Sequence, residues 1–342
     1  MRMNLLITGG AGFIGSHVVE HFITRPEIAR LVNLDCLTYA GNLFNLEKVK
    51  GHPKYTFEKV DLRDRPAVVR VVNEHQITHV LHLAAESHVD QSIAKPETFI
   101  ETNIAGTFNL LEACRTVWGA ALSGKRFHHV STDEVYGSLG TTEWFTEETP
   151  YAPNSPYSAS KASSDMLVRA YQRTYALPTV ITISSNNYGP RQYPEKLIPL
   201  VIHRVLLGRT IPVYGDGLHV RDWLYVRDHA EALWQVLARG RIGETYNVGA
   251  RNEWTNIEIV ELICDLVDGL AAQADGKSRQ LITFVHDRPG HDRRYAVDAS
   301  KIRRELGWEP SCPFEQAIRE TVQWYVNHRE WMPSAVSKRF NN

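Results

Sequence analysis

The chain alternates between short apolar runs and longer segments in which apolar residues recur every three or four positions. The short runs predict buried strands, and the longer spacing predicts amphipathic helices. In the first half of the chain, strands are predicted over residues 4–8, 31–34, 55–60, 79–84, 127–131 and 179–184. Helices are predicted between them, over residues 16–24, 65–75, 96–118 and 157–175. This alternation predicts an α/β fold with a doubly wound parallel sheet and right-handed crossovers, in which strand 127–131 is central.

After residue 187 the pattern loosens, because prolines and glycines crowd the next thirty or so positions. The change predicts a Rossmann-type domain over residues 1–187, to which residues about 222–250 return. A smaller mixed α/β C-terminal substrate domain is predicted over 188–332, followed by a tail over 333–342. Helices are predicted over residues 198–207, 228–239, 257–266 and 314–328, and strands over 211–214, 245–248 and 281–285. The segment 287–295 is expected to be a polar loop that is too charged to lie in the core.

A glycine-rich turn lies between the first strand and the first helix. Gly9, Gly12 and Gly15 recur there at every third position. One glycine permits a tight turn, one lets backbone N–H groups approach a pyrophosphate, and one lets the helix pack on the strand. Asp35 ends the next strand, about 20 residues past the last glycine, where a carboxylate accepts the ribose hydroxyls of adenosine and would repel a 2′-phosphate. These positions predict a site for NAD rather than NADP, with Asp61 near the adenine; the alternative is an unrelated turn followed by a chance aspartate.

Composition and charge exclude several classes of partner. The chain has 342 residues, enough for about two domains, and a formal net charge of −1, so no basic surface indicates nucleic acid or an anionic membrane. No apolar run is long enough to span a bilayer, and residues 1–24 read as a strand and a turn rather than a signal peptide. The cysteines lie far apart and form no zinc-binding spacing. We therefore expect reduced thiols, a cytoplasmic protein and no metal site.

Three polar residues, Thr132, Asp133 and Glu134, directly follow strand 127–131. Ligands of open α/β sheets bind outside the carboxyl ends of the strands. Two adjacent carboxylates repel each other, which raises the proton affinity of one and lets one act as an acid and the other as a base. The pattern therefore predicts a catalytic pair, and the alternative is a solvated acidic turn on the surface.

Tyr157 and Lys161 lie one helical turn apart, so they share one face of the predicted helix. A lysine cation and a bound nicotinamide both favour the phenolate, which predicts a Tyr157 pKa lowered from about 10 toward neutral. A phenolate near NAD can take the proton of a sugar hydroxyl while hydride leaves the same carbon. Without the glycine turn and the polar strand end, the pair would be read as ordinary surface pairing on a helix.

The glycine turn, Asp35, Thr132, Tyr157 and Lys161 together resemble the extended short-chain dehydrogenase/reductase superfamily. Over nearly its whole length, the chain resembles more narrowly the dTDP-glucose 4,6-dehydratases. The narrower resemblance rests on the segments 35–42, 83–92, 132–134, 185–199, 214–221 and 287–295. The chain has the short form of the segment between the carboxylate pair and the tyrosine, and no role is predicted for Arg191 and Gln192.

The resemblance implies NAD as cofactor and a nucleotide sugar, dTDP-glucose, as substrate. It implies cofactor contacts at Gly9, Gly12, Phe13, Ile14, Gly15, Asp35, Cys36, Leu37, Thr38, Asp61, Leu62, Leu83, Ala84, Ala85, Thr102, Tyr157, Lys161 and Asn187. It implies substrate contacts at Ser87, Thr132, Asp133, Glu134, Asn186, Lys196, Leu197, Pro212, Tyr214, Arg221, Asn252, Arg288 and His291. Guanidinium groups at positions 221 and 288 would suit a diphosphate. Their alternative is solvated surface arginine.

The activity that the resemblance implies is a hydro-lyase reaction, which converts dTDP-glucose to a 4-keto-6-deoxy sugar and water. Thr132, Asp133, Glu134, Tyr157 and Lys161 would carry it, with Glu134 as base at C5 and Asp133 as acid at the C6 hydroxyl. A 4-epimerase on the same scaffold, a dehydratase of a UDP-, CDP- or GDP-hexose, and a non-catalytic NAD-binding scaffold remain as alternatives. The resemblance also implies a homodimer seam on helices 104–118 and 166–175, in which apolar residues such as Phe108, Leu111, Leu167 and Tyr171 recur. The alternative is that these helices only cover the sheet.

Overall fold

The computed structural model describes residues 2–270 and 276–332. The strands of its largest sheet are β1 (Met3–Thr8), β2 (Ile28–Leu34), β3 (Tyr55–Glu58), β4 (His79–His82), β5 (Arg126–Thr132), β6 (Thr179–Ser184) and β10 (Thr245–Val248). They form a seven-stranded sheet in the order β10-β6-β5-β4-β1-β2-β3, and every pairing in it is parallel. The predicted doubly wound, Rossmann-type α/β fold is therefore confirmed.

The prediction that strand 127–131 is central is wrong, because β4 occupies the middle of the sheet. The chain winds outward from β1 through β2 to β3, and then crosses back to place β4 on the other side of β1. The two strands that flank this reversal are the central ones, whatever their position in the sequence. The crevice between β1 and β4 therefore lies at the topological switch point, where such sheets bind their ligands.

Helices cover both faces of the sheet. They are α1 (Phe13–Ile23), α2 (Arg65–Glu74), α3 (Val89–Ala94), α4 (Pro96–Phe99), α5 (Gly106–Trp118), α6 (Pro156–Tyr175) and α8 (Val226–Arg239). Alternate residues of β1 divide between two cores: Leu6 packs with α2, α5 and α6, while Leu5 and Ile7 pack with α1 and α8. This alternation follows from the period of two residues in a strand, and it buries the sheet on both faces.

The single long helix predicted over 96–118 is broken. A π-helical turn, Ile100–Ala105, separates α4 from α5. Within it, the backbone oxygen of Asn103 accepts hydrogen bonds from Thr107 Oγ1 at 2.6 Å and from Ser164 Oγ at 2.7 Å. Hydroxyl groups that compete for a helical carbonyl distort the regular pattern, and wide turns of this kind are frequent at functional sites. Thr102, a predicted cofactor residue, lies in this turn.

The rest of the chain adds two smaller sheets and a helical layer. The order β11-β9-β7 joins Glu253–Thr255, Val220–Tyr225 and Asn186–Tyr188, and β12 (Ile282–Val285) pairs with β8 (Ile211–Tyr214). The remaining helices are α7 (Leu197–Leu206), α9 (Asn256–Leu270), α10 (Ser300–Leu306) and α11 (Phe314–Asn327). Buried residues of α7, α9 and α11 form a separate hydrophobic core. The predicted domain boundaries stay a prediction, and the predicted tail, 333–342, lies outside the described residues.

Several elements are not predicted by the sequence, namely strands β7, β9 and β11 and helices α3 and α10. Strand β9 contains the charged residues Arg221 and Asp222, so its sequence does not show the apolar pattern of a strand. Segment 287–295 is not simply a solvated loop, because Tyr295 is only 2% exposed and its neighbour Arg294 is 8% exposed. The Arg294 charge is tolerated there because Glu253 binds its guanidinium through both carboxylate oxygens. Among the residues described, no helix combines the length and apolar character needed to cross a bilayer.

Candidate active site

A cavity of about 430 Å³ opens over the carboxyl ends of the central strands. Every residue predicted to contact the cofactor, except Leu37, lines it. The predicted catalytic residues Thr132, Asp133, Glu134, Tyr157 and Lys161 line the same cavity, as do Ser87, Asn186 and Lys196. The glycine turn, the carboxylate pair and the tyrosine–lysine pair therefore meet in one space, although they come from three separate parts of the chain.

The glycine turn is built so that a dinucleotide could approach the backbone. A Cβ on Gly15 would lie 2.1 Å from the backbone oxygen of Gly9, so α1 could not pack this closely with any other residue. A Cβ on Gly12 would meet only the Gly9 oxygen, at 3.4 Å, and would otherwise occupy the cavity that Gly12 lines. Gly12 also precedes α1, whose first turn has no side-chain cap and no acidic residue. The free N–H groups in the first turn of α1 and the dipole of this helix suit the pyrophosphate of NAD.

Asp35 ends β2 at the edge of the same cavity. Its carboxylate accepts hydrogen bonds from the backbone N–H groups of Ala11 at 3.0 Å and Leu37 at 2.8 Å, which ties the glycine turn to the loop after β2. Burial raises the pKa of Asp35 above its usual value, and these two N–H groups oppose the shift. Asp61 also lines the cavity, where the Arg63 guanidinium lowers its pKa and keeps it ionised. These residues fit an adenosine end of the cofactor site, because a 2′-phosphate would face the Asp35 carboxylate.

The carboxylate pair lies at the carboxyl end of β5. The alternative of a solvated acidic turn is wrong, because Asp133 is 1% exposed. Burial raises the pKa of Asp133 well above its usual range, and the neighbouring Glu134 and Asp222 charges raise it further. Burial also raises the pKa of Glu134, but the cations Lys196, Arg288 and Arg221 oppose that shift. The two acids are therefore unequal, and Asp133 is the one more strongly held in its protonated form.

Tyr157 and Lys161 project from the start of α6 into the cavity. Ser155 and Ser158 form a capping box that fixes this helix end, with Ser158 N donating to Ser155 Oγ at 3.1 Å. Lys161 Nζ donates to the backbone oxygen of Val130 at 2.9 Å. Burial lowers the pKa of Lys161 to about 8. The side chain is therefore anchored to β5, next to the strand end that carries the carboxylates.

The prediction of a lowered Tyr157 pKa is wrong for the protein by itself. Burial raises the pKa of Tyr157 above its usual value, the Glu134 charge raises it further, and a hydrogen bond with Thr132 opposes the shift. The prediction counted the attraction of nearby cations and left out the cost of placing a phenolate beside carboxylates in a dry pocket. In this environment the hydroxyl stays protonated unless positive charge is added next to it.

The predicted substrate residues fall into two groups. Ser87 and Lys196 meet at the cavity, because Lys196 Nζ donates to the backbone oxygen of Ser87 at 2.6 Å. Lys196 immediately precedes α7, and Leu197 is the first residue of that helix. The predicted substrate residues that do not line the cavity are Leu197, Pro212, Tyr214, Arg221, Asn252, Arg288 and His291. The surface alternative is wrong for Arg221, which is 5% exposed and lies with its guanidinium 4.3 Å from the Tyr295 ring centre.

His291 belongs to a cluster of three side chains beside these arginines. The rings of His291 and His219 stack with centroids 3.7 Å apart. Asp287 lies beside both, with its carboxylate oxygens 2.6 Å from His291 Nδ1 and 3.2 Å from His219 Nε2. The potential ligand atoms lie within 4.8 Å of one another, so they could hold a metal ion. One carboxylate already serves both rings, however. Burial and then the Arg288 and Arg221 charges lower the pKa of His291, and these charges would oppose a cation.

Several residues that line the cavity were not predicted. They are Glu86, Ser185, Gln192, Tyr193 and Glu195, among others. Glu86 and Ser185 come soon after β4 and β6, so the rule that ligands bind at carboxyl ends of strands would have found them. The other three come from the loop before α7, whose path only the tertiary structure shows. Arg191, in that loop, pairs with Glu20 at 2.8 Å, so its visible role is to hold the loop against α1.

Comparisons with known proteins agree with this site. The model of the GDP-mannose 4,6 dehydratase family matches residues 6–321. The chain is 57% identical to a dTDP-glucose 4,6-dehydratase of Neisseria gonorrhoeae, over 96% of this chain and 97% of that protein.

Two solved structures have the same architecture. The dTDP-glucose 4,6-dehydratase of Bacillus anthracis, in complex with NAD, is 47% identical with a TM-score of 0.85, over 96% of this chain and 98% of that one. DesIV, a dTDP-glucose 4,6-dehydratase of Streptomyces venezuelae with NAD and TYD bound, is 44% identical with a TM-score of 0.89, over 97% of this chain and 99% of that one. The chain belongs to the dTDP-glucose 4,6-dehydratase family.

Proposed function

We infer that the protein is an NAD-dependent dTDP-glucose 4,6-dehydratase, a lyase that converts dTDP-glucose to dTDP-4-keto-6-deoxyglucose and water. The observation that carries this function is the pair Asp133 and Glu134 in one cavity with Tyr157 and Lys161. A dehydratase needs an acid and a base in addition to the redox pair, and the unequal environments of the two carboxyls supply them. When bound, NAD supplies the oxidising power, by accepting hydride from C4 and returning it to C6.

We propose that Tyr157 removes the proton of the C4 hydroxyl. Thr132 holds the reacting C4 oxygen, and Lys161 holds the Tyr157 phenol in place. The raised Tyr157 pKa means that this step depends on positive charge brought close to the hydroxyl, and Lys161 is the cation that the chain provides on the same helix face. A 4-keto group acidifies the neighbouring C5–H, which Glu134 then removes as a carboxylate. Asp133, which is protonated, donates its proton to the departing C6 hydroxyl, and the two acids exchange roles to finish the product.

We propose that the nucleotide diphosphate lies toward Arg221 and Arg288. Burial raises the pKa of Glu134 and both arginine charges oppose that shift, so they act on the sugar side of the pocket rather than on the adenosine side. Arg221 Nη1 and Nη2 donate to the backbone oxygens of Val220 and Asp292, at 2.8 and 2.9 Å, so this guanidinium is already oriented. An oriented fork of this kind suits phosphate oxygens.

The alternative of a 4-epimerase differs in one requirement. An epimerase on this scaffold uses the tyrosine, the lysine and NAD, but it has no use for a buried acid–base pair such as Asp133 and Glu134. A product that absorbs in alkali as a 4-keto sugar supports the dehydratase. Turnover on a panel of dTDP-, UDP-, CDP- and GDP-glucose ranks the nucleobases, for which one methyl group gives only about 1–3 kcal/mol of discrimination.

The experiment that tests the carboxylate roles compares Glu134→Gln with Asp133→Asn on substrate deuterated at C5. Glu134→Gln should still oxidise C4 slowly, seen as NADH absorbance, but should stop the loss of deuterium. Asp133→Asn should keep deuterium loss and slow the release of water. If Glu134→Gln loses C5 deuterium at the wild-type rate, Glu134 is not the base that removes the C5 proton.

We also propose that the protein acts as a cytoplasmic homodimer and that residues 188–332 form a substrate domain. The separate hydrophobic core formed by buried residues of α7, α9 and α11 supports a separate C-terminal unit. Exposed apolar residues on α5 and α6 support the dimer, since Phe108 is 37% and Met166 48% exposed. Leu111 and Tyr171, which were expected to contribute to the seam, are buried in the core of the chain itself.

A further inference from the structure

Asp165 is a fully buried acid for which the reaction steps above have no use. It lies on α6 one turn after Lys161 and two turns after Tyr157, so the three residues share one face of the helix. Its relative exposure is 0%, and that of Lys161 is 5%. An ionised carboxylate without a compensating charge is very costly in such a place, so its surroundings show what it balances.

Hydrogen bonds hold the Asp165 carboxylate against β5 and the loop before α6. Oδ2 accepts from Ser131 Oγ at 2.7 Å and from Tyr151 OH at 2.9 Å. Oδ1 lies 3.1 Å from His129 Nε2. Both hydroxyl groups donate, so this carboxylate oxygen is the acceptor in each bond.

Among the neighbouring titratable groups, Lys161 is the cation that can balance the charge of the Asp165 carboxylate. Burial, and then the Lys161 charge, lower the pKa of His129, so this ring is neutral at neutral pH. His82, whose ring lies 5.2 Å from that of His129, also has a lowered pKa because it is buried. Arg169 donates to Tyr151 OH at 3.1 Å and stacks on that ring, rather than binding the carboxylate directly. Burial raises the pKa of each of the phenols Tyr136, Tyr151 and Tyr157, and the Asp165 charge raises it further.

We propose that Asp165 is a positioning residue for the dehydratase reaction, whose buried carboxylate keeps Lys161 protonated beside Tyr157 over the working pH range. The inference rests on the function proposed for Lys161. The direct hydrogen bond of Lys161 goes to the Val130 carbonyl, which orients the ammonium but carries no net charge. Burial lowers the pKa of Lys161 to about 8, and the Asp165 charge is the influence that opposes this.

The sign of the effect follows from these contacts. With Asp165 neutralised, the Lys161 amine loses its proton at a lower pH, because the opposing charge is gone while the burial remains. An opposite charge near an ionisable group typically shifts the pKa of that group by about 1–3 units. Asp165 also repels a Tyr157 phenolate directly, so the effects on Tyr157 are opposed and only the titration of Lys161 is diagnostic.

The experiment measures how fast acetic anhydride acetylates Lys161 in the full chain as a function of pH, by mass spectrometry of the peptide that contains it. The reagent attacks only the neutral amine, so the midpoint of the rate profile reports the Lys161 pKa even if accessibility changes. Asp165→Asn should move the midpoint down by about one pH unit or more. Asp165→Glu, which keeps the charge, should leave it near the wild-type value.

Ser131→Ala is the matched control, because it removes a hydrogen bond to Asp165 without removing the charge. A merely structural role would make Ser131→Ala and Asp165→Asn behave alike, and that outcome, or an unmoved midpoint in Asp165→Asn, overturns the proposal. If Asp165→Asn does not fold, Asp165→Ser, which is smaller and uncharged, is expected to give the same shift. Failure of the wild type to turn over dTDP-glucose would instead overturn the proposed function and leave the Lys161 midpoints to be judged separately.

Discussion

Gly12 and Gly15 make different contributions at the residue scale, although they belong to one motif. Gly15 is required by packing, because its Cβ position is 2.1 Å from a backbone oxygen. Gly12 is required by the ligand, because its Cβ position lies against the cavity and meets only one protein atom at 3.4 Å. The sequence motif does not separate the two roles, whereas the structure does.

We therefore predict opposite behaviour for the two alanine variants. Gly15→Ala should lower the free energy of unfolding by about 1–3 kcal/mol, because the turn must move to relieve the clash. Gly12→Ala should leave that free energy nearly unchanged and weaken NAD binding by about tenfold or more, which corresponds to about 1.4 kcal/mol. Urea unfolding of cofactor-free protein and titration with NAD measure the two quantities. Equal loss of stability in both variants would contradict the separate roles.

Residues at strand ends were the part of the site that could be predicted from the sequence. Asp35, Thr132, Asp133 and Glu134 follow apolar runs directly, and the carboxyl ends of parallel strands meet along one edge of the sheet. Arg221 lies within β9, and its charge makes this strand hard to recognise from the sequence. The sequence therefore indicates only a surface arginine or a phosphate-binding one. Its burial depends on the carbonyl groups of segment 287–295, which is distant in the sequence.

At the scale of elements, the start of α6 decides where Tyr157 points. Pro156 and the capping box of Ser155 and Ser158 fix the first turn, and Tyr157 is the next residue of that turn. A cap supplies a partner for N–H groups that the helix cannot satisfy itself. The cap could be read from the sequence, because serine before proline at a helix start is a recognised signal.

We predict that Ser155→Ala lowers the free energy of unfolding by about 0.5–2 kcal/mol, through loss of the cap. It should also lower kcat more than it changes KM, because a displacement of the phenol by about 1 Å can cost up to about 100-fold in rate. Ser163→Ala is the matched control, since this half-buried serine of α6 donates to the backbone oxygen of Ala159 within its own helix. Steady-state kinetics and urea unfolding check both variants; equal kinetic losses in the two would show that the cap does not position Tyr157.

The break between α4 and α5 shows why periodicity alone was insufficient for this element. Apolar spacing continues through residues 96–118, so the sequence predicts one helix. The widened turn depends on Asn103, whose side chain binds both backbone groups of Glu86 and donates to Ser160 Oγ at 2.8 Å. These partners lie on the loop after β4 and on α6, and no local pattern announces them.

At the scale of the whole molecule, the fold class followed from the alternation of strands and helices, but the order of strands did not. Strand β10 reaches the sheet only after the chain has passed through α7, β8 and β9, and it pairs with β6 at the edge. The sequence predicts that residues about 222–250 return to the first domain, and β10 joins the large sheet. The position of β5 was misjudged, because position along the chain is a poor guide to position in a doubly wound sheet.

The last prediction concerns the assembly. Phe108 on α5 and Met166 on α6 are exposed on helices that pack against each other, and water contact with both is unfavourable. If this surface is the dimer seam, burying these side chains stabilises it by about 1.5–3 kcal/mol each, and an aspartate there also brings a charge into a dry interface. The double variant Phe108→Asp and Met166→Asp should therefore sediment as a monomer at low micromolar concentration, where the wild type sediments as a dimer. Phe284→Asp, at a 55% exposed position on β12, is the control and should remain dimeric. A monomeric wild type, or dissociation of the control to the same extent, would remove α5 and α6 as the seam.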